Sequence, residues 1–419
     1  MSNNMNLKNR LNNQIIYFKK NSVWAGFNRF TLKTAYSKNK SDIYKVLFVN
    51  KDFITEGIKK VNNFDFVPHI FFLIPTLKCD LNCDYCFVRN KQNISNNNMS
   101  LSIAERSIKL FLNYYAKQSI SKGFVLNFYG GEPLINWDVV KKSVLIWIKL
   151  IKKINKGSTI NIITNGMLLN KEIALFCKKY NVSVSVSLDG RKEVNEYYRK
   201  NINFDKVIAN FKLLKKIGVN TNISFTLNDK NYMNLKSEII YIDELLKPNR
   251  ILVNLPLPVE NIKFNIEIQN KIINSYFELF DFMKSKGISD NIFSTLLYRF
   301  VEKKIGYHHC PCSKSQIVVD PDGNIGPCHS FIGNINFFPG NIYDNYDLSK
   351  ISLFNDWIKT SSYSIKQCKN CIGIGLCRGG CRYVAKLTKG NIRNVDERIC
   401  LNIDKIVEYL VWSTYKNLD

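Results

Sequence analysis

Twelve cysteines set what this sequence can do chemically, and eleven of them fall in short-spaced groups. Cys79, Cys83 and Cys86 stand at C-x3-C-x2-C spacing directly after an apolar, strand-like run. Cys310, Cys312 and Cys328 form a second, looser group, with Gly323 between the last two. Cys368, Cys371, Cys377 and Cys381 follow at C-x2-C-x5-C-x3-C, and Cys400 comes after 18 more residues. Reduced cytosolic thiols at such spacing argue for metal binding over a disulfide framework. Three thiolates can hold three corners of an iron–sulfur cubane and leave the fourth iron open, where a substrate binds. Zinc stays open at this point: the first group could be a site short of its fourth ligand, and thiolate tetrads suit structural zinc. Cys177, in the Glu172–Lys179 stretch away from every group, reads as a buried apolar thiol.

The elements that must position these groups alternate in type. Strand-like runs at Ile70–Leu77, Phe124–Tyr129, Thr159–Thr164, Val182–Leu188, Asn220–Leu227 and Arg250–Leu255 are separated by stretches of helical period. In one of these, Ile103–Lys117, Ser102 and Glu105 form a capping box. Such alternation predicts an α/β fold with a parallel sheet and right-handed crossovers, six units of a partial barrel. With 419 residues, one large catalytic domain plus small modules is expected: an extension over 1–66, the barrel over 67–290 and a cysteine-rich module over 291–419. The extension carries strand-like runs at Gln14–Phe18 and Arg29–Leu32 and a helical run near Ile54–Val61; it reads as packing, with peptide binding as the other possibility. From Cys310 onward the periodicity fades into loops folded by their ligands.

Sites of parallel α/β barrels form at the C-terminal ends of the strands, and polar motifs stand there. Gly130-Gly131-Glu132-Pro133 follows the second strand, Thr164-Asn165-Gly166 ends the third, and Ser185-Val-Ser187-Leu-Asp189-Gly190 ends the fourth, with Arg199 nine residues on. With Tyr85 ahead of the third cysteine, this constellation resembles the radical S-adenosylmethionine superfamily. The resemblance implies that Cys79, Cys83 and Cys86 hold a [4Fe-4S] cluster whose open iron chelates S-adenosylmethionine, and that reductive cleavage yields a 5′-deoxyadenosyl radical. It implies cofactor contacts for Tyr85, Gly130, Gly131, Glu132, Pro133, Thr164, Asn165, Ser187, Asp189 and Arg199, the last as a bidentate partner of the cofactor carboxylate. The C-terminal spacing resembles the family's SPASM extension, which implies two further [4Fe-4S] clusters, three in all. Cys310, Cys328 and Cys381 would serve auxiliary cluster I, with Cys312 as the available fourth thiolate, and Cys368, Cys371, Cys377 and Cys400 would serve auxiliary cluster II.

Within that family, Pro327-Cys328-His329 and Phe128-Tyr129-Gly130-Gly131 look like peptide maturases that form thioether or carbon–carbon cross-links. Formylglycine-forming sulfatase maturases carry Asp after that cysteine and Gln before the two glycines. His329 could take the place of the base, an imidazole being a group that ordinarily titrates near neutral pH. The expected activity is oxidative modification of a ribosomally made precursor peptide; sulfatase maturation is the alternative. The net charge of +26 is spread over the whole chain rather than in a basic stripe, which speaks against a zinc-dependent nucleic-acid binder, the reading from another class. It suits an acidic electron donor such as flavodoxin or ferredoxin, or an acidic peptide. Met1–Asn12 lacks the apolar core of a secretory signal, and no apolar run approaches membrane-spanning length, so a cytoplasmic protein is expected.

Overall fold

The computed structural model describes residues 14–88, 97–116, 123–255, 257, 266–286, 293–344 and 352–415; the leader reading of Met1–Asn12 and the end of the expected helix at Lys117 lie outside them. An antiparallel sheet opens the chain, made of β1 (Ile15–Lys20), β2 (Val23–Asn28) and β3 (Thr34–Ser37), followed by helices α1 (Lys40–Leu47) and α2 (Phe53–Asn62). One face of this sheet lies under α1 through Ile15, Trp24, Ile43 and Leu47. The other joins the main core through Ala25 and Phe27, whose ring stacks 5.8 Å from Phe300. Arg29–Leu32 is a turn and not a strand. The Asn28 Oδ1 accepts from the backbone N–H groups of Phe30 and Thr31 at 3.0 Å, and Leu32 turns to φ 57°, so the chain reverses where the apolar residues suggested extension.

Six parallel strands follow with their helices: β4 (Ile70–Leu73), α3 (Leu101–Ala116), β6 (Phe124–Phe128), α4 (Trp137–Ile154), β7 (Ser158–Thr164), α5 (Lys171–Lys179), β8 (Val182–Ser187), α7 (Phe204–Ile217), β10 (Thr221–Thr226), α8 (Leu235–Leu246) and β11 (Arg250–Asn254). The two-residue strands β5 (Asn82–Cys83) and β9 (Arg199–Lys200), the latter preceded by α6 (Lys192–Tyr198), pair outside the main sheet. Neighbours in the sheet are neighbours in sequence, so right-handed crossovers step always the same way and stack their helices on one face. The cap of α3 is Ser100, whose Oγ accepts from Ile103 N at 3.2 Å; Glu105, expected in a capping box with Ser102, instead pairs with Lys109 at 2.5 Å.

Register separates the two faces of this sheet. Phe71, Leu126, Ile160, Val184, Ile223 and Ile251 point to the helices and are buried. The opposite face carries Asn127, Asn161, Ser185, Asn222, Ser224 and Asn254, bonded across strands: Asn161 to Asn127 at 2.9 Å, Asn222 to Ser185 at 3.5 Å and Asn254 to Ser224 at 3.1 Å. A core face built for packing and a face built for hydrogen bonding thus share each strand.

The expected loops beyond Cys310 are more ordered than that. After α9 (Ile266–Lys286) and α10 (Phe293–Val301) comes β12 (Gln316–Val319), a fully buried strand that pairs in parallel with β4, Gln316 opposite Ile70. Strands β13 (Asn324–Gly326) and β14 (Gly340–Asn341) continue the sheet antiparallel, giving nine strands. Helices α11 (Ser352–Lys359), α12 (Ile374–Cys377), α13 (Arg382–Lys389), α14 (Glu397–Cys400) and α15 (Ile403–Tyr415) complete the chain. Among the described residues no helix is long and apolar enough to cross a membrane.

Phe71 is fully buried, its ring 4.8 Å from Phe111 and 6.4 Å from Trp147. Phe71→Ala should destabilise the fold by about 3–5 kcal/mol, the cost of removing a large core ring and leaving a cavity; urea unfolding measures it.

Candidate functional site

The loop after β4 carries Cys79, Cys83 and Cys86, and three neighbours clamp it. Gly131 N donates to Thr76 O at 3.0 Å and Glu132 N to Lys78 O at 2.8 Å. A Cβ on Gly131 would fall 2.1 Å from Lys78 O, and Gly130 sits at φ +134°; the two glycines therefore let the strand-end backbone press against the cysteine loop. Asn165 Nδ2 donates to Asp80 Oδ1 at 2.6 Å. Farther along, β5 pairs with β9 so that Cys83 faces Arg199, and Asp84 N donates to Tyr198 O at 2.9 Å.

Two buried carboxylates organise the strand ends. Glu132, before the single turn that Pro133 opens, accepts from Thr164 Oγ1 (2.7 Å) and Leu134 N (3.1 Å) on Oε1 and from Asn165 N (2.7 Å) on Oε2. Burial pushes its carboxyl up to about 7 while those hydrogen bonds resist. Asp189 is fully buried and receives Arg199 in a fork, Nε at 2.9 Å and Nη2 at 3.0 Å. The Tyr85 hydroxyl and Thr226 N (2.9 Å) also donate to its carboxylate. The Arg199 guanidinium lies 5.5 Å over the Tyr85 ring. Ser187, at the end of β8 opposite Ser224, is half-buried. The sequence-predicted residues around the first cysteines are thus brought together, but Glu132 and Asp189 spend their oxygens on neighbouring protein groups.

No cysteine is in a disulfide, and all the thiols but Cys177 fall in three sets. Burial pushes Cys83 up to about 11; Cys86 pushes the same way and Arg199 opposes. In the second set, Cys310 and Cys328 both act to raise the Cys312 thiol, and Cys381 feels both of those thiols. In the third, burial, with Cys371 adding, pushes Cys368 and Cys377 up to about 12, and burial raises Cys400 too, with Cys377, Cys368 and Cys371 adding. All-thiolate sets of three and four are ligand sets of iron–sulfur clusters, and the tetrads suit zinc as well.

Sequence reasoning missed what lies between the first two sets. The ring of His329, next to Cys328, stacks 4.9 Å from Phe72 and lies 4.9 Å from Tyr129 and 5.9 Å from Phe87. Tyr383 stands 6.4 Å from Phe87. Burial pushes its hydroxyl up to about 12, with Cys328, Cys381 and Cys86 adding to the shift. The signal was present: Tyr129 and Phe87 each directly adjoin a motif.

Residues 73–236 match the model of the Radical SAM superfamily, and this part of the chain is a radical SAM domain. The cysteine-type anaerobic sulfatase-maturating enzyme of Clostridium novyi is 29% identical over 341 residues, 73% of this chain and 85% of that protein. The radical SAM cyclopropyl synthase TigE of Paramaledivibacter caminithermalis is 26% identical over 78% of this chain and 71% of its own. Among solved structures, native anSMEcpe with bound AdoMet superposes with a TM-score of 0.69 at 24% identity, covering 84% of this chain and 100% of that one. Streptococcus suis SuiB bound to precursor peptide SuiA gives 0.56 at 16% identity, over 93% and 98%. At these identities the two structures speak for the fold.

Asp189→Asn should cost about 3–5 kcal/mol, because it strands the buried Arg199 charge; chemical denaturation checks this. Glu132 supplies a pH dependence. Its folded-state pKa lies above the ordinary 4.5, so the folded state keeps a proton that the unfolded state releases. Its contribution to stability should fall as pH rises from about 4.5 to 7 and level off above. Glu132→Gln should flatten that segment of a urea-denaturation profile while lowering stability overall, since an amide nitrogen cannot accept the hydrogen bonds it inherits.

Proposed function

We propose that this chain is a radical S-adenosylmethionine enzyme that oxidatively modifies a peptide, forming a cross-link in a ribosomally made precursor. The observation that supports it most is the first thiol set bound by β5–β9 to the Tyr85–Asp189–Arg199 network, facing a second thiol set across an aromatic group. Cys79, Cys83 and Cys86 would hold a [4Fe-4S] cluster, a group that would supply the electron for reductive cleavage of S-adenosylmethionine. Arg199 is aimed by Asp189 and keeps Nη1 for a cofactor carboxylate; Thr164, Asn165 and Ser187 offer polar groups at the strand ends, and Glu132 fixes Thr164 and Asn165 in place. Phe72, Phe87, Tyr129 and Tyr383 exclude water around His329. On the sheet face turned away from the helices, the half-buried side chains of Asn161, Asn222 and Ser224 would give an extended peptide backbone donors and acceptors.

Cys310, Cys312, Cys328 and Cys381 are assigned to a first auxiliary [4Fe-4S] cluster and Cys368, Cys371, Cys377 and Cys400 to a second, in a SPASM-type module that would accept the electron lost when the peptide radical left by hydrogen abstraction is oxidised. The net charge of +26 favours an acidic electron donor of the flavodoxin or ferredoxin kind. Sulfatase maturation is the second reading, favoured by the similarity to the Clostridium novyi enzyme over most of its length. His329, where that chemistry would use a carboxylate, favours the first. Anaerobic reconstitution should load about 12 irons. Incubation with reductant, S-adenosylmethionine and a precursor peptide encoded beside the gene should give 5′-deoxyadenosine and a loss of ~2 Da per modification. A formylglycine aldehyde on a sulfatase peptide, with the precursor untouched, would establish the second reading instead.

A further inference from the structure

We propose that Arg29, carried by the N-terminal sheet, and Asn402, at the start of α15, are hydrogen-bond donors to the iron–sulfur cluster of Cys368, Cys371, Cys377 and Cys400. This rests on the assignment of those four thiols to a cluster.

The turn Arg29–Leu32 docks on the Cys371–Cys377 loop although the two are far apart in sequence. Arg29 Nη1 donates to Cys371 O at 3.1 Å, and Gly375 N donates back to Arg29 O at 3.3 Å. A Cβ on Gly375 would meet Arg29 O at 2.8 Å, so glycine there lets the two backbones touch. Arg29 is 3% exposed, and its Nε is buried with no hydrogen-bond partner. Burial lowers its pKa, and the neighbouring groups that oppose this are Cys371 and Tyr363. Among the described residues no carboxylate forms an ion pair with it.

Asn402 adjoins the same loop through its neighbour in sequence. It lies two residues after Cys400, and the following Ile403 side chain packs where a Cβ of Gly373 would stand, 2.2 Å away. Asn402 is fully buried, and neither Nδ2 nor Oδ1 has a partner. Buried polar groups nearly always find partners. Two unpaired donors from remote segments that converge on one four-thiol loop point to a common acceptor, and cluster sulfides and thiolates are such acceptors. Hydrogen bonds to the sulfurs and a nearby fixed positive charge both favour the more negative reduced cluster and raise its potential. The N-terminal sheet thereby becomes part of the redox apparatus.

The test is a redox titration followed by electron paramagnetic resonance, in a Cys79→Ala, Cys83→Ala, Cys86→Ala background that leaves about eight irons. Arg29→Met and Asn402→Leu should each lower the reduced-to-oxidised ratio of one cluster about tenfold at a fixed potential, a shift of 59 mV for a one-electron couple. Arg29→Lys, which keeps the charge and loses the Nε donor, should fall between. Unchanged titrations in variants that keep their iron would overturn the proposal. Should Arg29→Met shed iron, Asn402→Leu decides alone: a more stable protein with an unmoved potential means the amide had no acceptor, and the proposal fails. A parent protein that loads only about four irons in all would defeat the auxiliary-cluster assignment itself, before any variant is compared.

Discussion

The buried carboxylate of Asp189 is the constraint on which the site depends. A charge removed from water must be answered by donors, and Asp189 takes its donors from three stretches of chain: Tyr85 in the cysteine loop, Arg199 in β9 and Thr226 at the end of β10. The arrangement of the cysteine loop is therefore a by-product of satisfying one carboxylate. Glu132 does the same for the ends of β6 and β7. Between them, the two acids hold the C-terminal ends of neighbouring strands in register without any metal ligand taking part. They also explain why glycines precede Glu132: the loop has to come within hydrogen-bond reach of the strand end, and side chains there would prevent it.

Much of this was legible. The six parallel strands begin and end close to where alternating composition places them, because their apolar faces must meet helices and their motifs must follow at the strand ends. The first run overshoots to Leu77, since the chain leaves the sheet before Pro75. Arg29–Leu32 misleads because its apolar residues are buried by docking rather than by pairing, while the Asn28 side chain closes the turn. The cap of α3 was misplaced because two serines compete within three positions, and only geometry chooses Ser100. Nothing in the sequence announces that Gln316–Val319 adds to the edge of β4, because the hydrogen bonds that make it a strand belong to a distant partner.

For the site, cysteine spacing groups Cys381 with Cys368, Cys371 and Cys377, whereas in the fold Cys381 neighbours Cys310 and Cys328 and Cys400 takes its place in the third set. Spacing leaves Cys312 open; its position beside Cys310 and Cys328 is a tertiary fact. Arg199 illustrates the same limit. Its distance from the fourth strand marks it as interesting, but its fork on Asp189 and its place opposite Cys83 come from the β5–β9 ribbon, too short to be read as a strand. The aromatic surroundings of His329 come from β4, the cysteine loop and β6, and become visible only once those elements are assembled.

The position of β12 has a consequence for how the chain is made. On a ribosome, β4 emerges and pairs with β6, but its other edge stays open until residues 316–319 arrive, after the whole run of crossover units. An unpaired edge of this kind is a template for wrong partners, and contacts so remote in sequence form slowly. The nascent protein must therefore carry the raw edge of its first parallel strand through most of its own synthesis, with the cysteine loop that follows Pro75 beside it. Shelter for that edge during synthesis, by a chaperone or by slow release, would guard against the aggregation that unpaired strand edges invite.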